Sequence, residues 1–144
     1  MTQLRRSRPK DAWDGPAPLA LPAVLYLDAD PQAARRARSF VHHQCRAKGI
    51  EGDALDTAVL LTSEIVTNAW IHGRSAARLE VTTSADGLLV EVGDENSRLP
   101  ELIEQDPEAL NGRGLAIVSR LAADWGAHED DWGKVVWFEI QYDH

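Results

Sequence analysis

Hydrophobic residues recur with a helical period in the first half of the chain. Between Asp53 and Gly73 the apolar positions follow the 3.6-residue repeat, which predicts a long helix that begins at an aspartate cap. An earlier helix is predicted over residues 33–48, because an acidic cap and Pro31 precede a run of helix-forming residues that ends at a glycine. A third, shorter helix is predicted from about 114 to 123.

Other segments alternate between apolar and polar residues, as strands do. Residues 77–84 and 88–94 alternate on either side of the turn sequence Ala85-Asp86-Gly87, so they are predicted to form a hairpin. Three further strands are predicted at 21–27, 124–129 and 134–142. We therefore expect an α/β (α+β) two-layer sandwich, with a mixed, mostly antiparallel sheet covered on one face by about three helices.

The two ends of this pattern differ in composition. Residues 1–19 combine arginines and prolines without periodicity, which predicts a flexible N-terminal tail, with Trp13 as a residue that could pin it to the domain or to a partner. Residues 20–144 are predicted to form one domain. Within it, residues 95–111 lack periodicity and are too long for an ordinary connector, so they are expected to form a functional loop.

Composition narrows the classes of function. The chain has 144 residues and a net charge of -8, which argues against a large phosphate-binding surface for nucleic acid. No apolar run approaches the length of about 20 residues that crosses a bilayer, so no membrane partner is expected. Cys45 is the single cysteine, which suits a reducing cytoplasm, and we expect a cytoplasmic protein.

Polar residues interrupt the apolar helix over 53–73 at a regular interval. Glu64, Asn68 and His72 are four residues apart, so they lie on one face of that helix beside apolar neighbours. This arrangement indicates polar chemistry at the wall of a cleft. Two further candidates follow along the chain, Asp94 at the end of a predicted strand and the glycine-flanked helix start Gly112-Arg113-Gly114.

These three pieces, in this order, resemble the gyrase, histidine-kinase and heat-shock-chaperone superfamily of ATP-binding domains, and most closely its anti-sigma-factor serine kinases. The resemblance covers residues 20–142 and includes the Glu-x-x-x-Asn motif at Glu64 and Asn68. It implies that Asn68 binds Mg²⁺, that Glu64 orients or deprotonates the attacking hydroxyl, and that Asp94 accepts a hydrogen bond from the adenine amino group.

The resemblance also implies roles for the lid. Gly112, Arg113, Gly114 and Leu115 would lie against the phosphates of ATP, because glycines let the backbone approach and a helix N-terminus favours anions. His72 would either border the phosphate or ribose edge of the pocket or cap the last carbonyls of its helix.

Three positions depart from the family pattern. Relatives often have glycines after the adenine aspartate, which this chain lacks, and an arginine two residues before the first lid glycine, where this chain has Leu110. A threonine on the adenine side of the last strand is replaced by Val135, which has no hydrogen-bonding group.

The resemblance implies a regulatory protein that uses ATP and Mg²⁺. The leading expectation is a serine/threonine protein kinase that acts as an anti-sigma factor, binds a sigma factor, and phosphorylates an antagonist protein of the anti-anti-sigma type. Homodimerisation is expected by the same resemblance, and direct nucleic-acid binding is not. The alternative, favoured by Leu110, is a binding module in which ATP stabilises the partner-binding shape without phosphate transfer. A histidine-kinase catalytic domain that works with a separate protein is a third reading.

Overall fold

The computed structural model describes residues 21–73, 76–94, 117–129 and 133–142, and of residues 70–73 it describes the backbone alone. Two helices are followed by a hairpin, a short helical stretch at 117–121 and a second hairpin. The elements are β1 (Ala23–Leu27), α1 (Ala33–Ala47), α2 (Gly52–Gly73), β2 (Ala77–Thr83), β3 (Gly87–Asp94), β4 (Asp124–Glu129) and β5 (Lys134–Gln141).

The five described strands form one sheet in the order β1-β2-β3-β5-β4. Each neighbouring pair is antiparallel, and in the middle of the sheet Val90 of β3 pairs with Val81 of β2 on one side and with Phe138 of β5 on the other. The predicted α+β sandwich with a mostly antiparallel sheet is confirmed. Among the described strands no parallel pair occurs.

One face of the sheet carries the hydrophobic core, and we call it the helix face. Alternate strand residues such as Leu79, Val92 and Phe138 join the buried residues of both helices in a single cluster. The buried residues of α1 recur every four positions, at Ala33, Ala37, Val41 and Cys45, which is the spacing of one helix face. The helices therefore cover this side of the sheet.

The two helices are joined by a tight connection and a side-chain hydrogen bond. α1 ends before Gly49, whose φ of +77° lies in the left-handed region that ends many helices. Arg38 Nη1 donates a hydrogen bond to Ser63 Oγ at 2.9 Å, which links α1 to the middle of α2. At the start of α1, Gln32 is the N-cap, and Asp30 Oδ1 instead accepts a hydrogen bond from the Gln32 amide.

The opposite side of the sheet, which we call the far face, is buried along β3 and β5, whereas Val24 and Tyr26 on its β1 edge are exposed. Leu89, Val135 and Trp137 belong to the buried apolar residues of the chain but not to the cluster that includes the helices. They alternate with helix-face residues along β3 and β5, so they point the other way. Both described tryptophans of the final hairpin are buried, Trp137 on the far face and Trp125 on the helix face.

No helix within the described ranges has both the length and the apolar character needed to cross a membrane.

Candidate functional site

The second half of α2 carries two of the polar residues that the sequence analysis singled out. Glu64 and Asn68 are one turn apart, so their side chains leave the helix about 40° apart around its axis. Asn68 is 4% exposed and lies among the buried residues of α2, whereas Glu64 is half-buried at the margin of this side. Because the buried side of α2 packs against β3 and β5, Asn68 belongs to the layer between helix and sheet.

The side-chain oxygen of Asn68 is buried without a hydrogen-bond partner. No described residue donates to Asn68 Oδ1, and the atom is closed off from solvent. A buried acceptor in this state costs about 1 to 3 kcal/mol relative to a satisfied one. Asn68 therefore lowers the stability of the fold in this state. A hard cation or an N–H donor would satisfy its oxygen.

Asp94 and Lys134 form a buried ion pair across two neighbouring strands. Asp94 is the last residue of β3, Lys134 is the first of β5, and the two are direct cross-strand partners. Lys134 Nζ lies 3.6 Å from Asp94 Oδ2, and the two side chains are 2% and 1% exposed. Asp94 also takes part in at least one further polar interaction.

The ion pair lies on the same side of the sheet as Asn68. Asp94 pairs with Ala77, which belongs to the core cluster that contains the buried residues of α2. Cross-strand partners point to the same face, so the Asp94 and Lys134 side chains are on the helix face. The Asp94–Lys134 pair and the buried residues of α2 are therefore on the same side of the sheet.

The sequence analysis assigned the wrong residue of the last strand to this side. Val135 pairs with Gly93 and lies on the far face, so it cannot occupy the position expected of a threonine beside the adenine. Lys134 is the residue of β5 that stands next to Asp94 on the helix face. It was missed, although its alternation with Val136 and Phe138, both core residues, was a signal that could have identified it.

Several candidate site residues lie outside the described part of the structure, wholly or in their side chains. The backbone of His72 is part of α2, but its side chain lies outside the described part of the structure. The lid residues Gly112, Arg113, Gly114 and Leu115 also lie outside the described ranges. Val118, in the helical stretch at 117–121, is buried in the core cluster.

The donor set constrains what the site can hold. Among the described residues, no group of three or more histidine, cysteine, aspartate or glutamate side chains could hold a metal ion. Mg²⁺ needs no such cluster, because it keeps several waters and combines one or two protein oxygens with substrate phosphates. The buried, unsatisfied Asn68 Oδ1 is an oxygen of the required type.

The sequence matches a known family over most of its length. Residues 27–140 match the family of histidine kinase-like ATPase domains, a range that contains Glu64, Asn68, Asp94 and Lys134. The chain belongs to this family. A domain of this type implies ATP binding, for which Mg²⁺ is the usual companion.

A solved structure shares the fold. A chain from the crystal structure of the SiaB-SiaC complex from Pseudomonas aeruginosa is similar to this chain with a TM-score of 0.59 and 14% sequence identity. The similarity covers 83% of this chain and 88% of the other, so it extends across the whole sandwich. No curated protein matches the sequence.

The residues present are compatible with a nucleotide and its metal. Asn68 offers an unsatisfied amide oxygen, Asp94 offers a carboxylate at the end of β3, and both belong to the layer between α2 and the sheet. Glu64 is at the margin of that layer, where it retains access to solvent. These groups are of the chemical types that a metal-nucleotide complex needs, namely oxygen ligands for the cation and an acceptor for the adenine amino group.

Proposed function

We propose that this protein is an ATP-dependent serine/threonine protein kinase that acts as an anti-sigma factor. The observation that carries the proposal is the buried Asn68 Oδ1 with no hydrogen-bond donor, on the same layer of the fold as the Asp94 carboxylate. One group suits a metal ion and the other suits the amino group of a purine. Membership of the histidine kinase-like ATPase family supports the same interpretation.

Each residue has a separate task in this proposal. Asn68 would hold the magnesium ion that neutralises phosphate charge, and Asp94 would accept a hydrogen bond from adenine. Glu64, one turn before Asn68, would accept the proton of the acceptor hydroxyl or fix the direction of its attack. The half-buried position of Glu64 supports this task, because an acceptor serine on another protein must approach from solvent.

The Asp94–Lys134 pair would support the adenine-binding carboxylate. The Lys134 ammonium group lies 3.6 Å from Asp94 Oδ2, so it would attract that oxygen across the two strand ends. Lys134 would also hold the Asp94 side chain in one direction before nucleotide binds. In this scheme Lys134 is a positioning residue.

The proposed partners are proteins. A sigma factor would be the bound target, and an antagonist of the anti-anti-sigma type would supply the serine or threonine that is phosphorylated. The solved structure that shares this fold comes from a complex of two proteins, which supports a protein partner for this chain. A homodimer and a cytoplasmic location remain part of the proposal.

A second candidate function is supported by one feature of the sequence. Leu110 stands two residues before Gly112, where anti-sigma kinases often have an arginine that reaches the terminal phosphate. A leucine cannot stabilise charge that develops during phosphoryl transfer. The protein would then be an ATP-dependent binding module, whose nucleotide shapes the partner-binding surface.

A phosphate-transfer experiment separates the two functions. The protein is incubated with radiolabelled ATP, Mg²⁺ and a purified antagonist protein, and nucleotide binding is measured in parallel by calorimetry. For a kinase, Glu64→Gln should lose label transfer by at least about a hundredfold and keep nucleotide binding, because general base catalysis contributes that much. Asp56→Asn is the matched control, since Asp56 is an exposed acid on the same helix.

The outcomes are distinct. Nucleotide binding with no transfer by the wild type supports the binding module. Transfer that survives in Glu64→Gln contradicts the role of Glu64 and leaves the ATP-binding site itself in place. A wild type that gives no heat with ATP and Mg²⁺ contradicts both functions.

A further inference from the structure

We propose that the far face of the sheet is a docking surface for the N-terminal segment of this same chain, residues 1–20, and that arginines of the segment pair with far-face carboxylates. This inference is independent of nucleotide binding, because the far face lies across the sheet from Asn68 and Asp94. It assigns a role to a basic segment that the proposed kinase function does not use.

The far face is covered within a single chain. Trp137 is 2% exposed and Leu89 is equally closed, although both point away from α1 and α2. Side chains stand nearly perpendicular to a sheet, so neighbours on adjacent strands shield their flanks but leave their ends open. Burial to this degree therefore requires a further part of the chain above the face.

The far face is acidic as well as apolar. Glu80 and Glu91 are direct cross-strand partners, and they are 8% and 5% exposed. The neighbouring far-face pair Asp124 and Glu139 adds two more carboxylates, against one arginine, Arg78. Two buried carboxylates side by side repel each other and are costly without compensating positive charge.

These side chains are engaged in interactions. Glu80, Glu91 and Glu139 each take part in a hydrogen bond, ion pair or other electrostatic interaction, as do Arg78 and His128 on the same face. A covering segment must therefore provide polar partners for acids in addition to apolar contact. An arginine-rich segment meets this requirement, because guanidinium groups bind carboxylates through two parallel hydrogen bonds.

Two stretches outside the described ranges are long enough to cover the face, and their charges differ in sign. Residues 1–20 are basic, with Arg5, Arg6, Arg8 and Lys10 against Asp11 and Asp14. Residues 95–116 are acidic, with Glu95, Glu101, Glu104, Asp106 and Glu108 against Arg98 and Arg113. Charge complementarity selects the N-terminal segment, because a second acidic surface would be repelled by the far face.

The connection to the sheet permits this docking. Residues 1–20 lead directly into β1, which is the edge strand of the sheet. The path from β1 to β5 crosses three strand spacings, about 15 Å in all, whereas an extended chain advances about 3.3 Å per residue. The segment can thus reach Glu91 and Trp137 with residues to spare. Trp13 supplies an aromatic ring for the apolar part of the face.

The test places a spin label on the segment in the full-length protein. Ser7→Cys provides the attachment point, and Cys45 does not compete because it is completely buried. Amide signals of Arg78, Glu80 and Glu91 should lose more than half their intensity, while the exposed residues Asp56 and Leu60 on α2 should keep theirs.

A charge comparison tests the basis of the contact. Replacement of Arg5, Arg6 and Arg8 by glutamine in the labelled protein should restore the lost signals, because the ion pairs are removed. Replacement of the same three residues by lysine is the matched control and should leave much of the signal loss in place, because lysine keeps the positive charge although it loses the two parallel hydrogen bonds. Equal effects of the two replacements would contradict the pairing of these side chains with far-face acids.

Three other results would overturn the proposal. Full signal intensity at Arg78, Glu80 and Glu91 with the label at position 7 would exclude the N-terminal segment as the cover. Signal loss in an isotope-labelled, unmodified protein mixed with spin-labelled protein would identify a second copy as the occupant. Signal loss on the far face from a label at Gln105→Cys, with none from position 7, would identify residues 95–116. Each outcome is independent of ATP, so it leaves the proposed kinase function untouched.

Discussion

The Lys134 amino group lies 3.6 Å from the Asp94 carboxylate, and the two residues join the end of β3 to the start of β5. Removal of one partner from a buried ion pair leaves an uncompensated charge. We therefore expect Asp94→Asn and Lys134→Met each to lower the free energy of unfolding by about 3 to 5 kcal/mol. Urea denaturation measures this change.

The double variant is the control for this prediction. When both charges are removed together, no buried charge is left from the pair, so Asp94→Asn combined with Lys134→Met should be more stable than the sum of the single variants indicates. Additive losses would mean that the two side chains do not interact energetically.

Asn68 should lower the stability of the protein and be required for nucleotide binding. Asn68→Leu removes a buried oxygen that has no hydrogen-bond donor, and it fills the same space with apolar atoms. We expect the free energy of unfolding to rise by roughly 1 kcal/mol while calorimetry with ATP and Mg²⁺ gives no binding heat. A variant that binds nucleotide like the wild type would remove Asn68 from the site.

Thr62 offers a matched control on the same helix. Its Oγ1 is also buried without a hydrogen-bond partner, but it lies about 120° around the helix from Asn68. Thr62→Val should therefore increase stability by a similar amount and leave nucleotide binding unchanged. Loss of binding in both variants would indicate a general effect on α2.

Cys45 should make stability depend on pH in the alkaline range. Burial raises the pKa of its thiol from 9.0 to about 11, so the folded protein holds the proton more strongly than the unfolded chain. This contribution is complete below pH 9 and is lost as the pH rises to 11, which lowers the free energy of unfolding by about 2 to 3 kcal/mol. Denaturant unfolding at a series of pH values measures the loss.

Tyr142 contributes in the same direction, so it needs a separate control. Its pKa is raised by burial and by the nearby Asp86 carboxylate, and its hydroxyl donates to the Ser84 carbonyl. Cys45→Ala should flatten the fall in stability above pH 9 in part, and Tyr142→Phe should remove a further part. A slope that is unchanged in Cys45→Ala would contradict the shifted thiol pKa.

Substitution of Gly49 should destabilise the protein, because the backbone at this residue is left-handed. Its φ is +77°, and an added Cβ atom would meet no atom within 4 Å, so the cost of Gly49→Ala comes from the left-handed backbone alone. We expect a loss of about 1 to 2 kcal/mol in thermal or chemical unfolding. Gly49→Asn should lose less, because asparagine tolerates this region better than alanine.

Much of the fold could be predicted from local sequence. The 3.6-residue period set α2 to within one residue of its observed start, and the turn at Ala85–Gly87 fixed the β2–β3 hairpin. These signals are local, since they arise from residues that are near in the chain. The N-cap of α1 was displaced from the acidic residues to Gln32, because Asp30 forms a turn before the helix.

The pairing of β3 with β5 could not be predicted in the same way. These strands are separated by β4 in sequence, and their adjacency depends on long-range packing. For the site, regular spacing was enough to put Asn68 on the buried side of α2. Lys134 was missed because a charged residue at the start of a strand is usually solvated, although its alternation with Val136 and Phe138 placed it on the helix face beside Asp94.

The covering of the far face could be predicted only in part from the sequence. Val135 and Trp137 are buried although they alternate with the core residues Val136 and Phe138. A continuous apolar run of this kind predicts a strand covered on both faces, but it does not say what covers the second one.

The antiparallel pairing of β3 with β5 has an evolutionary consequence. The chain leaves β3 at Asp94, passes through β4, and begins β5 at Lys134 directly opposite Asp94, where the ion pair joins the two strand ends. Insertions or deletions between 95 and 116 need not shift the register of either central strand, because the direct pairing of Asp94 with Lys134 fixes that register. Descendants of this sequence can therefore change the length of that stretch while inheriting the same sheet.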